Sequence, residues 1–144
     1  MGMKQLPLLC LFCVLGFASP KGYAQTNLYS LAAADTFDNV YVQPLYADTL
    51  VSSFVIWVKA DVPAHLHKGH TEHIVVLEGM AEVLLGDTTQ VVVPGDLLIV
   101  PRGSRHAVRV LSPTPLKVLS VQAPKFRDGV HRTPASLPEG TFTY

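Results

Sequence analysis

Histidines are concentrated in one short part of this sequence, and the next one downstream is His106. Residues 65–73 read His-Leu-His-Lys-Gly-His-Thr-Glu-His. His65 and His67 are two residues apart, so on an extended backbone their side chains point to the same face and can share one ion. The carboxylate of Glu72 and the distant imidazole of His106 would complete a nitrogen and oxygen ligand set that suits iron, manganese, nickel, copper or zinc. The pattern therefore predicts a site for one divalent transition metal.

The spacing of these residues resembles the two sequence motifs of the cupin family. Both motifs are present in order, as His65-x-His67, four residues, Glu72, six residues, Gly79, and as Gly95, five residues, Pro101-x-Gly103-x-x-His106. In the proteins that the chain resembles, three histidines and one glutamate hold a divalent metal inside a small antiparallel β-barrel. The resemblance spans residues 50–124 and implies an all-β fold, a cupin-type antiparallel jelly-roll β-barrel. It also implies the metal ligands, which here are His65, His67, Glu72 and His106.

Short apolar stretches separated by turn residues predict an all-β domain from composition as well. Their valine-rich or alternating pattern favours strands, and glycine and proline residues stand between them. No long helical pattern competes. Packing the strands as two antiparallel sheets of a jelly roll would limit the number of unpaired strand edges. The eight predicted strands cover residues 40–46, 51–58, 73–77, 81–85, 90–93, 97–100, 106–111 and 116–121.

The beginning of the chain has the residue order of an export signal. Lys4 precedes an apolar stretch over residues 6–18, and a run of small residues ends at Ala24. The apolar stretch is shorter than the about 20 residues that a membrane-spanning helix needs. We therefore expect cleavage after Ala24, no stable membrane anchor, and a protein that is exported to the periplasm or outside the cell. The expected organisation is a signal peptide at 1–24, a flexible lead at 25–35, the barrel domain at 36–124 and a C-terminal tail at 125–144.

The expected mature chain is short, free of cysteine and nearly neutral. It keeps 120 of the 144 residues, with 9 Lys and Arg against 11 Asp and Glu, and both cysteines leave with the signal. Such a length supports one core and one domain. Disulfide and thiol chemistry are excluded, and nucleic acid is not an expected partner. The expected partners are a small-molecule ligand or substrate and, because the cupins that the chain resembles commonly dimerise through their sheets, a second copy.

Several side chains near the predicted ligands have more than one interpretation. His70 lies in the loop and His73 should point to the strand face opposite Glu72, so each could support a ligand, or replace one if the strand register shifts. The arginines near His106 could bind an anionic substrate or be ordinary solvated charges. Three aromatic residues could line the mouth of the site or fill the core. These are Arg102, Arg105 and Arg109, and Tyr46, Phe54 and Trp57.

Four protein ligands on an ion that prefers six would leave positions for water, oxygen or substrate. The resemblance then implies two classes of function, which a shared fold and ligand set do not separate. One is a metal-dependent enzyme, for which a dioxygenase-like oxygenase is favoured over an isomerase or a decarboxylase. The other is a non-enzymatic protein that binds a metal or small ligand. Val108 and Val110 share a strand face with His106, and this shortage of polar groups favours a chelating substrate with apolar or aromatic surface over a small diacid.

Overall fold

The computed structural model describes residues 25–126, in which β-strands follow one short 3-10 helix at Leu28–Ser30. The predicted signal peptide and residues 127–144 of the predicted tail lie outside the described residues. No helix within residues 25–126 is long and apolar enough to cross a membrane. The strands are β1 (Val40–Ala47), β2 (Ser52–Val58), β3 (Asp61–His65), β4 (Thr71–Glu78), β5 (Ala81–Leu85), β6 (Thr88–Val92), β7 (Leu97–Val100), β8 (His106–Val110) and β9 (Leu116–Ala123).

The strands form two antiparallel sheets. One sheet has five strands in the order β1-β2-β9-β4-β7, and the other has four in the order β3-β8-β5-β6. This confirms the predicted all-β antiparallel jelly roll. The sheets are not closed into a barrel, because within residues 25–126 no strand pairing joins an edge of one sheet to an edge of the other. Contact between the two sheets is therefore made by side chains, which leaves room for a site between them at one end.

The eight predicted strands are confirmed with small differences at their ends, and one strand, β3, was missed. β3 contains Pro63, which lowers strand propensity, and each of its five residues is half-buried, so no alternation marks it. It forms the edge of the four-stranded sheet and pairs with β8 alone. A proline is tolerated in an edge strand because the missing N–H need not pair with a neighbour. This edge strand ends at His65, so the missed element is one that positions the site.

The core lies between the sheets, and β4 shows how the sequence builds it. Ile74 and Val76 are buried on the inward face, while His73 is exposed on the outward face, as the period of two requires. The inward face continues to Glu72 at the start of β4, where apolar packing gives way to polar groups. The apolar core comprises Val58, Ile74, Val76, Ala81, Val83, Val92, Leu98, Val100, Leu116 and Val118.

The outer face of the five-stranded sheet is partly covered by the segment that precedes β1. Lys117 of β9 is only 1% exposed there, and its Nζ donates to Glu78 Oε1 at 2.7 Å and to the carbonyl oxygens of Leu31 and Tyr29 at 2.9 and 3.3 Å. A buried ammonium group is stable when its donors are all matched in this way. Lys117 thus ties the stretch expected as a lead, residues 25–35, to the sheet.

Candidate metal centre

The predicted ligands come from both sheets and meet at one end of the sandwich. His65 ends β3 and pairs in register with His106, the first residue of β8. His67 lies two residues beyond β3, and its carbonyl oxygen accepts a hydrogen bond of 2.8 Å from the Gly103 N–H of the loop before β8. One ring nitrogen from each of these three histidines lies within 4.8 Å of the other two. Two histidines of the first motif and the histidine of the second are thereby gathered around one point.

Backbone carbonyl groups fix the orientation of two imidazoles. His65 Nδ1 lies 2.9 Å from the carbonyl oxygen of Pro63, and His106 Nδ1 lies 3.2 Å from that of Ser104. A carbonyl oxygen only accepts, so each Nδ1 carries the proton and each Nε2 keeps its lone pair. This is the arrangement that typically orients histidines for metal binding.

The carboxylate of Glu72 divides its two oxygens between the histidines and β9. Oε2 lies 3.4 Å from His67 Nε2 and 3.6 Å from His106 Nε2. Oε1 accepts hydrogen bonds from the hydroxyl of Ser120 and, at 3.1 Å, from Nε2 of Gln122. The side chain is therefore held with one oxygen directed at the histidine cluster, as a ligand that binds through a single oxygen would be.

The same contacts keep Glu72 ionised although it is only 4% exposed. Burial by itself would raise the pKa of the carboxyl group, but the neighbouring imidazoles of His106 and His67 and the hydrogen bonds from Ser120 and Gln122 hold that pKa well below its usual range. A carboxylate must be deprotonated to bind a metal. Glu72 is thus present in the form that a metal site needs.

His65 is held in its neutral form. Burial lowers its pKa to about 4, and repulsion from His106 and His67 adds to this, against the opposing effects of the Pro63 carbonyl and Glu72. A neutral imidazole is the metal-binding form. Three nitrogen donors and one carboxylate oxygen, with two tautomers already set, fit a divalent transition metal. The structure therefore brings His65, His67 and His106 together and places Glu72 beside two of them.

The two remaining histidines of the first motif have different environments. His70 is 1% exposed and its ring stacks on that of His67, with centroids 4.4 Å apart and planes at 28°. It lies against the edge of Phe126 at 5.3 Å. His73 is exposed on the outer face of β4, where it pairs in register with Val121 and Ile99. His70 therefore forms part of the wall of the site, and His73 lies outside it.

Three residues of the site were missed in the sequence. Ser120 and Gln122 lie on the inward face of β9, and Phe126 places its ring 6.4 Å from that of His67 while its N–H donates to the hydroxyl of Ser52. The expectation of few polar groups beside the metal was therefore wrong, because β9 supplies two. Polar residues at inward positions of a predicted core strand were the available indication. Phe126 follows the predicted end of the domain, and nothing in its local sequence marks it.

The arginines and aromatic residues fall into distinct places. Arg109 lies on the outer face of β8 and bonds Glu82 Oε1 at 2.7 Å, whereas Arg102 and Arg105 are exposed in the loop before His106. Phe54 is buried with its ring 6.4 Å from that of Phe126, so it reaches from the core toward the site. Trp57 is buried on the outer face of β2 against Tyr41, away from the inward face that carries the site, and Tyr46 is exposed near the end of β1.

Comparison with known proteins agrees with the fold and the ligand spacing. Residues 53–122 match the family model described as the cupin domain. Over these residues the chain is similar to cupin domains. The matched stretch contains all four predicted ligands and both β9 residues that hold Glu72. A comparison with curated proteins found no match.

Solved structures of cupin domains and related proteins share the architecture. TT1209 from Thermus thermophilus is 24% identical with a TM-score of 0.64, and the alignment covers 71% of this chain and 98% of that one. KdgF from a Halomonas species is 19% identical, with coverage of 74% and 97% and a TM-score of 0.62. An RmlC-like cupin from Desulfovibrio desulfuricans is 27% identical, with coverage of 72% and 100% and a TM-score of 0.59. These similarities establish the fold, and the reaction has to be argued from the site itself.

Proposed function

We propose that this domain binds one divalent transition metal through His65, His67, His106 and Glu72 and presents it to a small chelating ligand. The observation that supports this is the set of donors directed at one point. Two imidazoles have their Nδ1 protons committed to backbone carbonyls, and the carboxylate has one oxygen committed to β9. Hydrogen bonds to the atoms of a side chain that do not bind the metal orient that side chain and tune its strength as a metal ligand.

The proposed site is of the open, catalytic kind. Four protein ligands leave positions on an ion that accepts six, and a bound metal would supply Lewis-acid or redox chemistry to a ligand there. The chain contributes an aromatic wall, since the ring of Phe126 lies near His67, His70 and Phe54. We infer a ligand with apolar or aromatic surface. Of the possible reactions, we favour an oxygen-dependent, dioxygenase-like cleavage over isomerisation or decarboxylation.

A turnover screen on protein loaded with a known metal tests this proposal. Iron, manganese, nickel, copper and zinc forms of residues 25–144 would be assayed, with and without oxygen, against catechol as an aromatic chelator and against oxalate as a small diacid. We expect oxygen uptake with catechol in at least one redox-active form. Turnover of oxalate without oxygen uptake would contradict the proposed reaction class. Metal binding with no turnover of either compound would support the alternative, a non-enzymatic metal-binding or ligand-binding protein.

The ligand assignment is tested by removing single histidines. His67→Ala and His106→Ala should lose the metal, measured by elemental analysis after dialysis against buffer without metal. His73→Ala is the matched control, because His73 is exposed on the outer face of β4 and should not affect metal content. Equal metal loss in all three variants, with folding intact by circular dichroism, would show that the assignment is wrong.

We also propose that the protein is exported and forms a homodimer. The basic, apolar and small-residue order of residues 1–24 supports export with cleavage after Ala24. The dimer is supported by β7, an edge strand of the five-stranded sheet whose outer face presents Leu97 and Ile99 at 56% and 49% exposure. An apolar patch beside an unpaired strand edge is a typical site of association.

A further inference from the structure

The end of the sandwich that holds the histidine cluster carries an excess of cations. Four exposed basic residues lie in the loops at that end, against two acidic residues. The loops are residues 48–51, 66–70, 86–87, 101–105 and 124–126, and the charges are Lys68, Arg102, Arg105 and Lys125 against Asp48 and Asp87. The connections at the opposite end, including the segment before β1, carry Lys59 against Asp35, Asp38 and Asp96. The described residues have 7 Lys and Arg against 9 Asp and Glu, so their net charge is negative. The positive charge at this end therefore comes from where the basic residues lie along the fold.

The two loops that carry ligands are tied together directly beside the cations. The bond from the Gly103 N–H to the His67 carbonyl oxygen joins them, and Arg102 and Lys68 are the next residues along the chain on either side of that bond. Both side chains are exposed, and within residues 25–126 neither has an ion pair or hydrogen bond. A positively charged rim is thus placed next to His67.

The acidic residues of this end do not neutralise that rim. Hydrogen bonds from the Leu50 and Val51 N–H groups hold Asp48 within its own turn and lower the pKa of its carboxyl group, and the cation that also lowers it is Lys125, not Arg102 or Lys68. Asp87 follows Gly86, whose N–H bonds the carbonyl oxygen of Arg105, so it belongs to the far side of the 101–105 loop from Arg102. Charges within the screening length of about 8 Å at physiological salt act on an approaching ligand.

We propose that Arg102 and Lys68 form a cationic rim that selects an anionic ligand for the metal centre, a carboxylate-bearing chelator with an aromatic or apolar body. This inference rests on the proposed function. A divalent ion with three neutral histidines and one carboxylate keeps a net positive charge, so the rim and the centre favour the same sign of ligand. Arg102 offers the planar donor pair that matches a carboxylate, and Lys68 adds a mobile point charge.

The test compares an anionic probe with a neutral one on zinc-loaded protein. Salicylate and its neutral analogue salicylamide would be titrated by calorimetry into the wild type, Arg102→Gln, Arg102→Glu and Lys68→Gln. We expect salicylate affinity to fall about two- to fivefold on each loss of charge and further on reversal, as for exposed ion pairs. Salicylamide affinity should stay unchanged. The differences should largely disappear at 0.5 M salt, because screening shortens the range of the interaction.

Lys59→Gln and Lys59→Glu are the matched controls, since Lys59 is exposed and lies beyond the opposite end of β3 from His65. These variants change the net charge by the same amounts and should leave salicylate affinity unchanged. Zinc content, measured first, separates the two proposals. A wild type that does not bind zinc overturns the proposed function and this inference with it. Zinc binding with no salicylate binding, or with equal salicylate affinity in all variants, overturns the inference alone.

Discussion

Removal of the Ser120 hydroxyl should weaken metal binding without unfolding the domain. That hydroxyl donates to Glu72 Oε1, the oxygen that does not face the histidines, and Ser120 is fully buried at 0% exposure. A hydrogen bond to a charged group contributes about 1.5 to 3 kcal/mol, which corresponds to about 10- to 100-fold in affinity. The 3.1 Å bond from Gln122 remains in Ser120→Ala and continues to hold the carboxylate. We therefore expect the lower end of the range, a dissociation constant for zinc that is raised about tenfold.

Competition with a chromophoric zinc chelator would measure this change. Ser52→Ala is the matched control, because Ser52 is also buried on the inward face but its hydroxyl accepts from the Phe126 N–H and does not touch Glu72. We expect its zinc affinity to stay within about threefold of the wild type, well below the effect of losing a hydrogen bond to a charge. Equal weakening in both variants, or no change in Ser120→Ala with native circular dichroism, would refute the idea that β9 positions the carboxylate.

Three further predictions concern pH, association and export. In metal-free protein the unfolded chain takes up a proton at residue 65 near pH 6.5, whereas folded His65 does so at about 4. The unfolded state therefore binds more protons across this interval, and the free energy of unfolding should fall as the pH is lowered from 6.5 to 4. Urea titrations at pH 7 and 4.5 should show a smaller fall in His65→Gln, and an unchanged fall would contradict the assignment. In light scattering, Leu97→Lys should convert the proposed dimer to a monomer. Val91→Lys should not, although Val91 on β6 is equally exposed. A monomeric wild type would contradict the proposed dimer. Mass spectrometry of the exported protein should find a chain that begins at Gln25, and an intact Met1 there would contradict signal cleavage.

The parts of the fold that follow from local pattern were predictable from the sequence. On β4, Glu72, Ile74 and Val76 alternate with His73 and Val75, and all three are buried on the inward face, as a period of two residues requires. β3 was not predicted because it contains Pro63 and because its residues are all half-buried, so apolar and polar residues do not alternate along it. A proline-containing strand is nevertheless tolerated at the edge of a sheet. Closure into a barrel was expected from the resemblance, and it depends on pairing between sheet edges, which no local pattern encodes.

The residues of the candidate site also fall into those that local sequence spacing predicts and those that only the folded structure brings together. The histidines and Glu72 were found because their spacing within two short motifs is itself the indication. Ser120 and Gln122 contact Glu72 across 48 and 50 residues of sequence, so their role appears only when β9 is laid beside β4. Phe126 reaches the site because the chain turns back after β9 and bonds Ser52. Such contacts are a product of topology, and spacing along the chain does not reveal them.

The central claim is that one metal ion is held by three imidazoles and one carboxylate. X-ray absorption spectroscopy of the zinc-loaded wild type tests it most directly, since the fine structure counts nitrogen and oxygen neighbours and the outer-ring scattering of histidine identifies imidazoles. We predict three imidazoles and an oxygen shell, with distances of about 2.0 to 2.2 Å. In Glu72→Gln the three imidazoles should remain. A spectrum with an oxygen-only shell, or with fewer than three imidazoles, would contradict the account.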